Sequence, residues 1–316
     1  MTDRPIRIGT RGSALARWQA HDVANQLRAA GAVVEIVYIK TSGDVQQSGS
    51  IANIGAQGVF TKEIQRSLLQ GEIDLAVHSL KDLPTEIIDG LTLAAVPKRG
   101  SAGDAFLSVK AKTLAELPEG ATIGTGSMRR QAQVRRLFGD KFQLTNIRGN
   151  VETRINKMKQ GEVDALILAV AGLERLGLSA EIRALLPSQQ FLPAIGQGAL
   201  GIEIRTGDTE TESVVSKISE QGSFIAVLAE RAFLRTLQGG CIAPIGAYAH
   251  TYSNVQLKLH GRVLSPDGQT CLEDRFATLN PNGLTPKDAE TLGRHGAETL
   301  QKRGADEIVN ALRLTG

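Results

Sequence analysis

The chain has 316 residues, 41% hydrophobic, 22% charged and 4% aromatic, with a formal net charge of +3. That length supports two or three domains with cores of their own, and the composition excludes a disordered chain. So mild a charge and so few rings exclude a general nucleic-acid binder, and no 18-residue apolar run marks a transmembrane helix.

Residues 4–9 read as a short strand, Gly9-Thr10-Arg11-Gly12-Ser13 as a turn, and 14–30 as a helix stopped by Gly31. A β-branched strand over 33–40 precedes residues 41–58, rich in Ser, Gly, Gln and Asn, which read as a long loop, functional or mobile. A helix over 60–70 ends at Gly71, and a buried-strand pattern over 73–77 runs into His78-Ser79-Leu80-Lys81-Asp82-Leu83-Pro84.

The same grammar returns with a strand at 121–125, a turn at Gly126-Ser127 and a helix at 128–138. A strand at 141–147, a helix at 151–160, an apolar strand at 163–170 and a short helix follow. Two fragments recur in order: Ile8-Gly9-Thr10-Arg11-Gly12-Ser13 with Ile123-Gly124-Thr125-Gly126-Ser127, and Gly71-Glu72-Ile73-Asp74 with Gly161-Glu162-Val163-Asp164. The reading is an α/β chain of two like lobes with mostly parallel sheets.

The last hundred residues differ. A helix over 224–238 ends at Gly239-Gly240, and strands are predicted over 245–252, 255–264 and 269–279, with Pro266-Asp267-Gly268 as a hairpin turn. Two helices close a small α+β domain with an antiparallel sheet. The domain reading is 1–97 with 198–216 for the first lobe, 98–197 for the second and 217–316 for the third.

Charge is concentrated. Residues 121–160 carry nine Lys and Arg against Asp140 and Glu152, a local excess of +7 that leaves −4 on the rest. Arg129, Arg130, Arg148 and Arg154 come from different elements. In a parallel sheet, strand C-termini and the helix N-termini after them meet at one edge, where ligands bind. Guanidinium forks there suit carboxylates, against the blander reading of a solvated helix face. Ser13 and Ser127 each open a helix beside arginine (Arg11; Arg129 and Arg130), as anion-binding turns or as plain N-caps. Lys81-Asp82 follows a buried strand, either as a functional pair or as a surface ion pair; His78 reads as a satisfied core histidine or one that supports a neighbouring site residue, rather than a catalyst. Cys241 lies just past a helix C-terminus, where the dipole raises a thiol pKa, which argues against a redox or protease-type thiolate and leaves a buried structural thiol or a covalent anchor that reacts once. Gly196-Gln197-Gly198-Ala199-Leu200-Gly201 has dinucleotide-fingerprint spacing, but a strand follows it, so the glycines mark a crossing between lobes. Cys241 and Cys271 are too few for a metal cage, and no metal is expected.

Four segments together resemble the porphobilinogen deaminase (hydroxymethylbilane synthase) family over essentially the whole length. They are Ala76-Val77-His78-Ser79-Leu80-Lys81-Asp82-Leu83-Pro84, Arg148-Gly149-Asn150-Val151-Glu152-Thr153-Arg154, Leu192-Pro193-Ala194-Ile195-Gly196-Gln197-Gly198, and Gly239-Gly240-Cys241 with Pro244-Ile245-Gly246. The resemblance implies two periplasmic-binding-protein-like lobes plus a third domain. It implies a dipyrromethane cofactor joined by a thioether to Cys241. It also implies stepwise condensation of four porphobilinogen molecules with loss of ammonia, then hydrolytic release of linear hydroxymethylbilane for heme and chlorophyll. Asp82 matches the catalytic aspartate. Lys81, Ser127, Arg129, Arg130, Arg148 and Arg154 match cofactor-holding positions, and Arg11, Ser13, Arg148, Arg154 and Arg175 match substrate-holding ones.

Three positions depart from the family pattern. Gln57 stands where lysine is usual, Gly126 where serine is common, and Ser101-Ala102-Gly103 where Asp-Pro-Arg is usual. A cytoplasmic monomer without nucleic-acid or membrane partners is expected, since no signal segment is read and the resemblance implies a monomer. The competing reading from another class is a non-enzymatic two-lobed anion receptor.

Overall fold

The strand–helix alternation becomes two five-stranded sheets, with a three-stranded sheet following, in the computed structural model, which describes residues 4–41, 61–86, 88–239 and 243–315. The predicted 41–58 loop falls almost wholly outside those residues, as do Gln57 and Cys241. In chain order come β1 (Ile6–Arg11), α1 (Ala14–Ala29), β2 (Val34–Ile39), α2 (Lys62–Leu69), β3 (Leu75–Ser79) and β4 (Leu91–Ala95). The chain then crosses to β5 (Asp104–Ser108), β6 (Thr122–Gly124), α3 (Met128–Phe138), β7 (Gln143–Thr145), α4 (Val151–Lys159), β8 (Ala165–Ala169), α5 (Val170–Arg175) and β9 (Ala184–Leu185). It returns through β10 (Leu200–Arg205) and α6 (Thr209–Val215).

The sheet orders are β2-β1-β3-β10-β4 and β7-β6-β8-β5-β9. Four strands of each sheet share a direction, as a mostly parallel sheet requires; β10 and β5 run against their neighbours on both sides. Each reversed strand is the first regular element after a crossing, so each lobe is completed by the chain arriving from the other. β4, β5, β9 and α6 are absent from the sequence reading: β4 and β5 carry apolar runs but no helix follows them to frame a strand–helix unit, and β9 has two residues.

The recurring fragments occupy equivalent places. The Asp74 carboxylate accepts from the Arg7 amide at 2.9 Å and that of Asp164 from the Thr122 amide at 2.8 Å. Each aspartate's own amide donates back to the same residue's carbonyl at 2.9 Å. Both thereby tie the start of one central strand to the start of the next. Core side chains cover both faces of each sheet. In β5, Phe106 packs with Ile123 and Ile167, while Ala105 and Leu107 pack on the other side with Leu166 and Leu168, the period-two alternation of a strand buried on both faces.

The third unit is α7 (Gln221–Leu237), the antiparallel sheet β11 (Ile245–Ser253), β12 (Gln256–Leu264) and β13 (Cys271–Leu279), then α8 (Pro286–Gln301) and α9 (Ala305–Thr315). Its core joins Phe233 of α7, Leu257 and Leu259 of β12 and Leu300 of α8. α7 begins a turn earlier than its apolar pattern suggested, because the Glu220 carboxylate accepts from the Gly222 and Ser223 amides at 2.9 and 2.7 Å.

Two crossing segments connect the first two sheets and bond to each other, Gly100 N–H donating to the Gly198 carbonyl at 3.1 Å. Gly198 has φ +86°, and a Cβ there would sit 2.5 Å from the Ser101 carbonyl oxygen. The fingerprint-like glycines therefore serve the crossing, and β10 follows them as expected. Glu230 of α7, fully buried, gathers this junction. It accepts from Arg99 Nη1 and Nη2 at 2.6 and 3.1 Å, the Gly196 amide at 2.7 Å and the Ala249 amide at 2.8 Å.

Candidate active site

β3 delivers its C-terminus to a 3-10 turn, Leu80–Asp82, at the sheet edge where α1 begins. The turn exists because Leu80 N–H reaches the Ala199 carbonyl (3.0 Å) and Leu83 N–H folds back on Leu80 (3.2 Å), while buried Leu80 and Leu83 anchor it. It turns the Asp82 side chain outward, exposed, into a cavity lined by Arg11, Ser13, Gln19, His78 and Ser79 among others. Gln19 donates to Ser79 Oγ at 2.7 Å. His78 is buried with its Nε2 3.2 Å from a Glu203 carboxylate oxygen, but that nitrogen makes no hydrogen bond among the described residues, so the expected satisfaction is not seen.

Both helix-opening serines are true caps: Ser13 Oγ accepts from the Ala16 amide at 3.3 Å and Ser127 Oγ from the Arg130 amide at 3.5 Å. Capping does not exclude the anion reading, since each hydroxyl keeps a proton to donate. Asn150 caps α4 in the same way.

The arginines of the second lobe divide into two kinds. Arg129 and Arg130 are buried, not splayed on a surface. Asp104 bridges them, 2.8 Å from Arg129 Nη1 and 2.7 Å from Arg130 Nη2. Arg129 also donates to the Leu192 carbonyl at 2.6 Å, and Arg130 to that of Ile167 at 2.9 Å. Burial opposes ionisation of Asp104, but the two guanidiniums outweigh it and hold the carboxyl far below its usual range. Arg148 and Arg154 are half-buried, Arg154 Nε donating to the Gly149 carbonyl at 2.7 Å. Arg148 has no hydrogen bond or ion pair among the described residues. Arg175 lies elsewhere, donating to the Gly198 carbonyl at 2.7 Å with its guanidinium 5.6 Å from the Trp18 ring centroid.

Lys81 is half-buried rather than a surface pair. Burial pushes its ammonium down to about 8; Asp82 opposes this and Arg130 adds to it. Arg154 is lowered by burial and by Arg130, and Asp82 acts the other way. Lys81, Asp82, Arg130 and Arg154, from both lobes, therefore share one electrostatic environment. Four cations (Lys81, Arg129, Arg130, Arg154) face two carboxylates (Asp82, Asp104), and the site is short of negative charge.

Asp104 was not read from the sequence as a site residue, and Gln197 only as part of the crossing and of a family segment. Gln197 donates to the Ala102 carbonyl at 2.6 Å and to Asp104 at 2.9 Å. The signal for Asp104 was indirect: two arginines opening a buried helix face need an interior carboxylate, and it stands at the head of the apolar run Ala105-Phe106-Leu107.

A family model described as porphobilinogen deaminase, dipyromethane cofactor binding domain, matches residues 6–213. Another, the C-terminal domain of porphobilinogen deaminase, matches 224–302. The porphobilinogen deaminase of Pelotomaculum thermopropionicum is 44% identical over 98% of this chain and 97% of its own. That of Brevibacillus brevis is 43% identical over 96% of each. The chain belongs to the porphobilinogen deaminase family. Solved structures align more loosely: a methionine-binding protein, MetQ, aligns over 68% of this chain and 90% of its own with 12% identity and TM-score 0.46.

Membership in the porphobilinogen deaminase family makes the fit of a dipyrromethane a question for these residues. The excess cations are one favourable observation; Arg129 Nε, buried with no hydrogen-bond partner among the described residues, is another. A donor set built from guanidinium, ammonium and hydroxyl groups matches a group bearing several carboxylates. Cys241 lies outside the described residues. Cys271, by contrast, is half-buried on β13, and its thiol is pushed up by burial. No helix among the described residues is long and apolar enough to cross a membrane.

Proposed function

We propose that this chain is a hydroxymethylbilane synthase. It condenses four porphobilinogen molecules head to tail with loss of ammonia and releases linear hydroxymethylbilane by hydrolysis, for tetrapyrrole biosynthesis. The observation that carries this reading is the exposed Asp82 carboxylate beside a cation-rich cleft that draws on both lobes. Loss of an amine from porphobilinogen leaves positive charge on the pyrrole, and a fixed carboxylate lowers the energy of that charge and accepts a pyrrole N–H. Arg11, Arg148 and Arg154 neutralise the acetate and propionate groups of the incoming substrate, Ser13 donates a hydrogen bond to one of them, and Arg175 is assigned with them on the family pattern alone.

A dipyrromethane joined to Cys241 supplies the primer on which the chain of pyrroles is built. Lys81, Ser127, Arg129, Arg130, Arg148 and Arg154 hold it. We assign 1–97 with 198–216 and 98–197 to the two lobes and 217–316 to the domain bearing the anchor. We further propose that the enzyme is a cytoplasmic monomer with neither nucleic-acid nor membrane partners.

The test is the intact mass of the purified, denatured protein beside Cys241→Ser. A surplus equal to a dipyrromethane, seen only with Cys241, is the expected result. A bare polypeptide that gains nothing on incubation with porphobilinogen would return the lead to a non-enzymatic receptor.

A further inference from the structure

The carboxylate of Asp82 makes no hydrogen bond among the described residues, so its direction is set by the turn beneath it. One side of that turn hangs on the Ala199 carbonyl through Leu80. The other is gripped from far along the chain. Arg231 of α7 donates from Nη1 to the Leu83 carbonyl at 3.0 Å and from Nη2 to the Pro84 carbonyl at 2.7 Å. Two arms of one planar guanidinium thus span two successive carbonyls, a geometry an ammonium on a flexible stem cannot reproduce. Pro84 adds a ring-fixed φ at the same point.

The neighbouring Glu230 is clamped by Arg99, Gly196 and Ala249, so the backbone carrying Arg231 is held in the interior. Burial pushes Arg231 down to about 10, with Glu203 opposing, which leaves the guanidinium charged at neutral pH. α7 ends at Leu237, Gln238 takes a left-handed φ of +52°, and Cys241 follows ten residues after Arg231.

We propose that Arg231 is a positioning residue for Asp82, holding from α7 the turn that carries the reacting carboxylate. The reacting role of Asp82 rests on the function proposed above; the grip on the turn does not. Loss of such positioning should reach turnover more than substrate affinity, because the Arg231 guanidinium is engaged by the Leu83 and Pro84 carbonyls.

The experiment uses the full-length holoenzyme with Arg231→Ala and Arg231→Lys, checked for cofactor mass and melting temperature. Hydrogen exchange of a peptide covering 79–86 should quicken by about tenfold or more in Arg231→Ala and less in Arg231→Lys, with 200–205 unchanged. kcat should fall by about tenfold or more with KM within about twofold. In an Asp82→Glu background, whose carboxylate is already displaced, the same Arg231→Ala change should cost less than about threefold. Unchanged exchange over 79–86, or equal losses in both backgrounds, overturns the proposal. If the wild type neither carries the cofactor nor consumes porphobilinogen, the functional reading fails by itself, and the exchange result still decides whether Arg231 holds the turn.

Discussion

Asp104 shows how one carboxylate decides the state of two arginines. Buried guanidiniums are tolerable only when paired, and removing the partner of a buried pair costs about 3–5 kcal/mol. Asp104→Asn should lower unfolding stability by about that much in urea titration at pH 7. The native pKa lies below the usual 3.8, so the stabilisation is complete above pH 3.8 and is lost as pH falls from there toward the native value. The gap between wild type and Asp104→Asn should therefore close only below pH 3.8. Lys81 has the opposite sign. Its native pKa, near 8 against 10.5, means the charged form is disfavoured by folding, and stability is regained as pH rises from 8 to 10.5. Carboxylates brought into the cleft favour the ammonium and should raise that value. Titration of the methylated lysine by NMR, with and without cofactor, checks the shift; a holoenzyme value at or below 8 would count against Lys81 as a carboxylate holder.

At the scale of elements, helices were legible wherever a cap and a glycine bracketed an apolar period. The Met128–Phe138 helix matches its expected bounds because Ser127 opens it and Gly139 closes it. The 141–147 strand shrank to Gln143–Thr145 because pairing with β6 spans only three residues. The crossing is where backbone chemistry is least forgiving. Gly198→Ala combines a positive φ with a Cβ 2.5 Å from a fixed carbonyl oxygen, and should cost about 2–3 kcal/mol or more by urea unfolding. Gly126→Ser, which restores the family's common residue, meets only the Ile147 carbonyl oxygen at 3.7 Å and should change stability by less than about 0.5 kcal/mol.

Across the whole molecule the third unit acts as a keystone. Besides Glu230 at the crossing, it docks on the second lobe through Arg262, which donates to Gln133 at 3.1 Å and to the Gln189 and Gln190 carbonyls at 2.6 and 2.8 Å. Glu230→Gln leaves Arg99 uncompensated and should cost about 3–5 kcal/mol, with one cooperative transition splitting into two by calorimetry. A single unshifted transition would show that the junction does not couple the units.

Sequence by itself determined the alternating grammar, the repeat, the antiparallel third unit and the short segments that mark the family, because each is a local pattern of periodicity, caps and turns. It also identified the arginine concentration and placed it at a sheet edge. Only the tertiary structure decided which arginines are interior, that Asp104 and Gln197 bind them, that Arg175 turns to Gly198 and Trp18, and that Arg231 reaches the Asp82 turn. Those facts depend on pairings between residues up to 148 positions apart, as with Arg231 and Leu83, and a charge's partner at that separation is set by topology, not by the residues beside it.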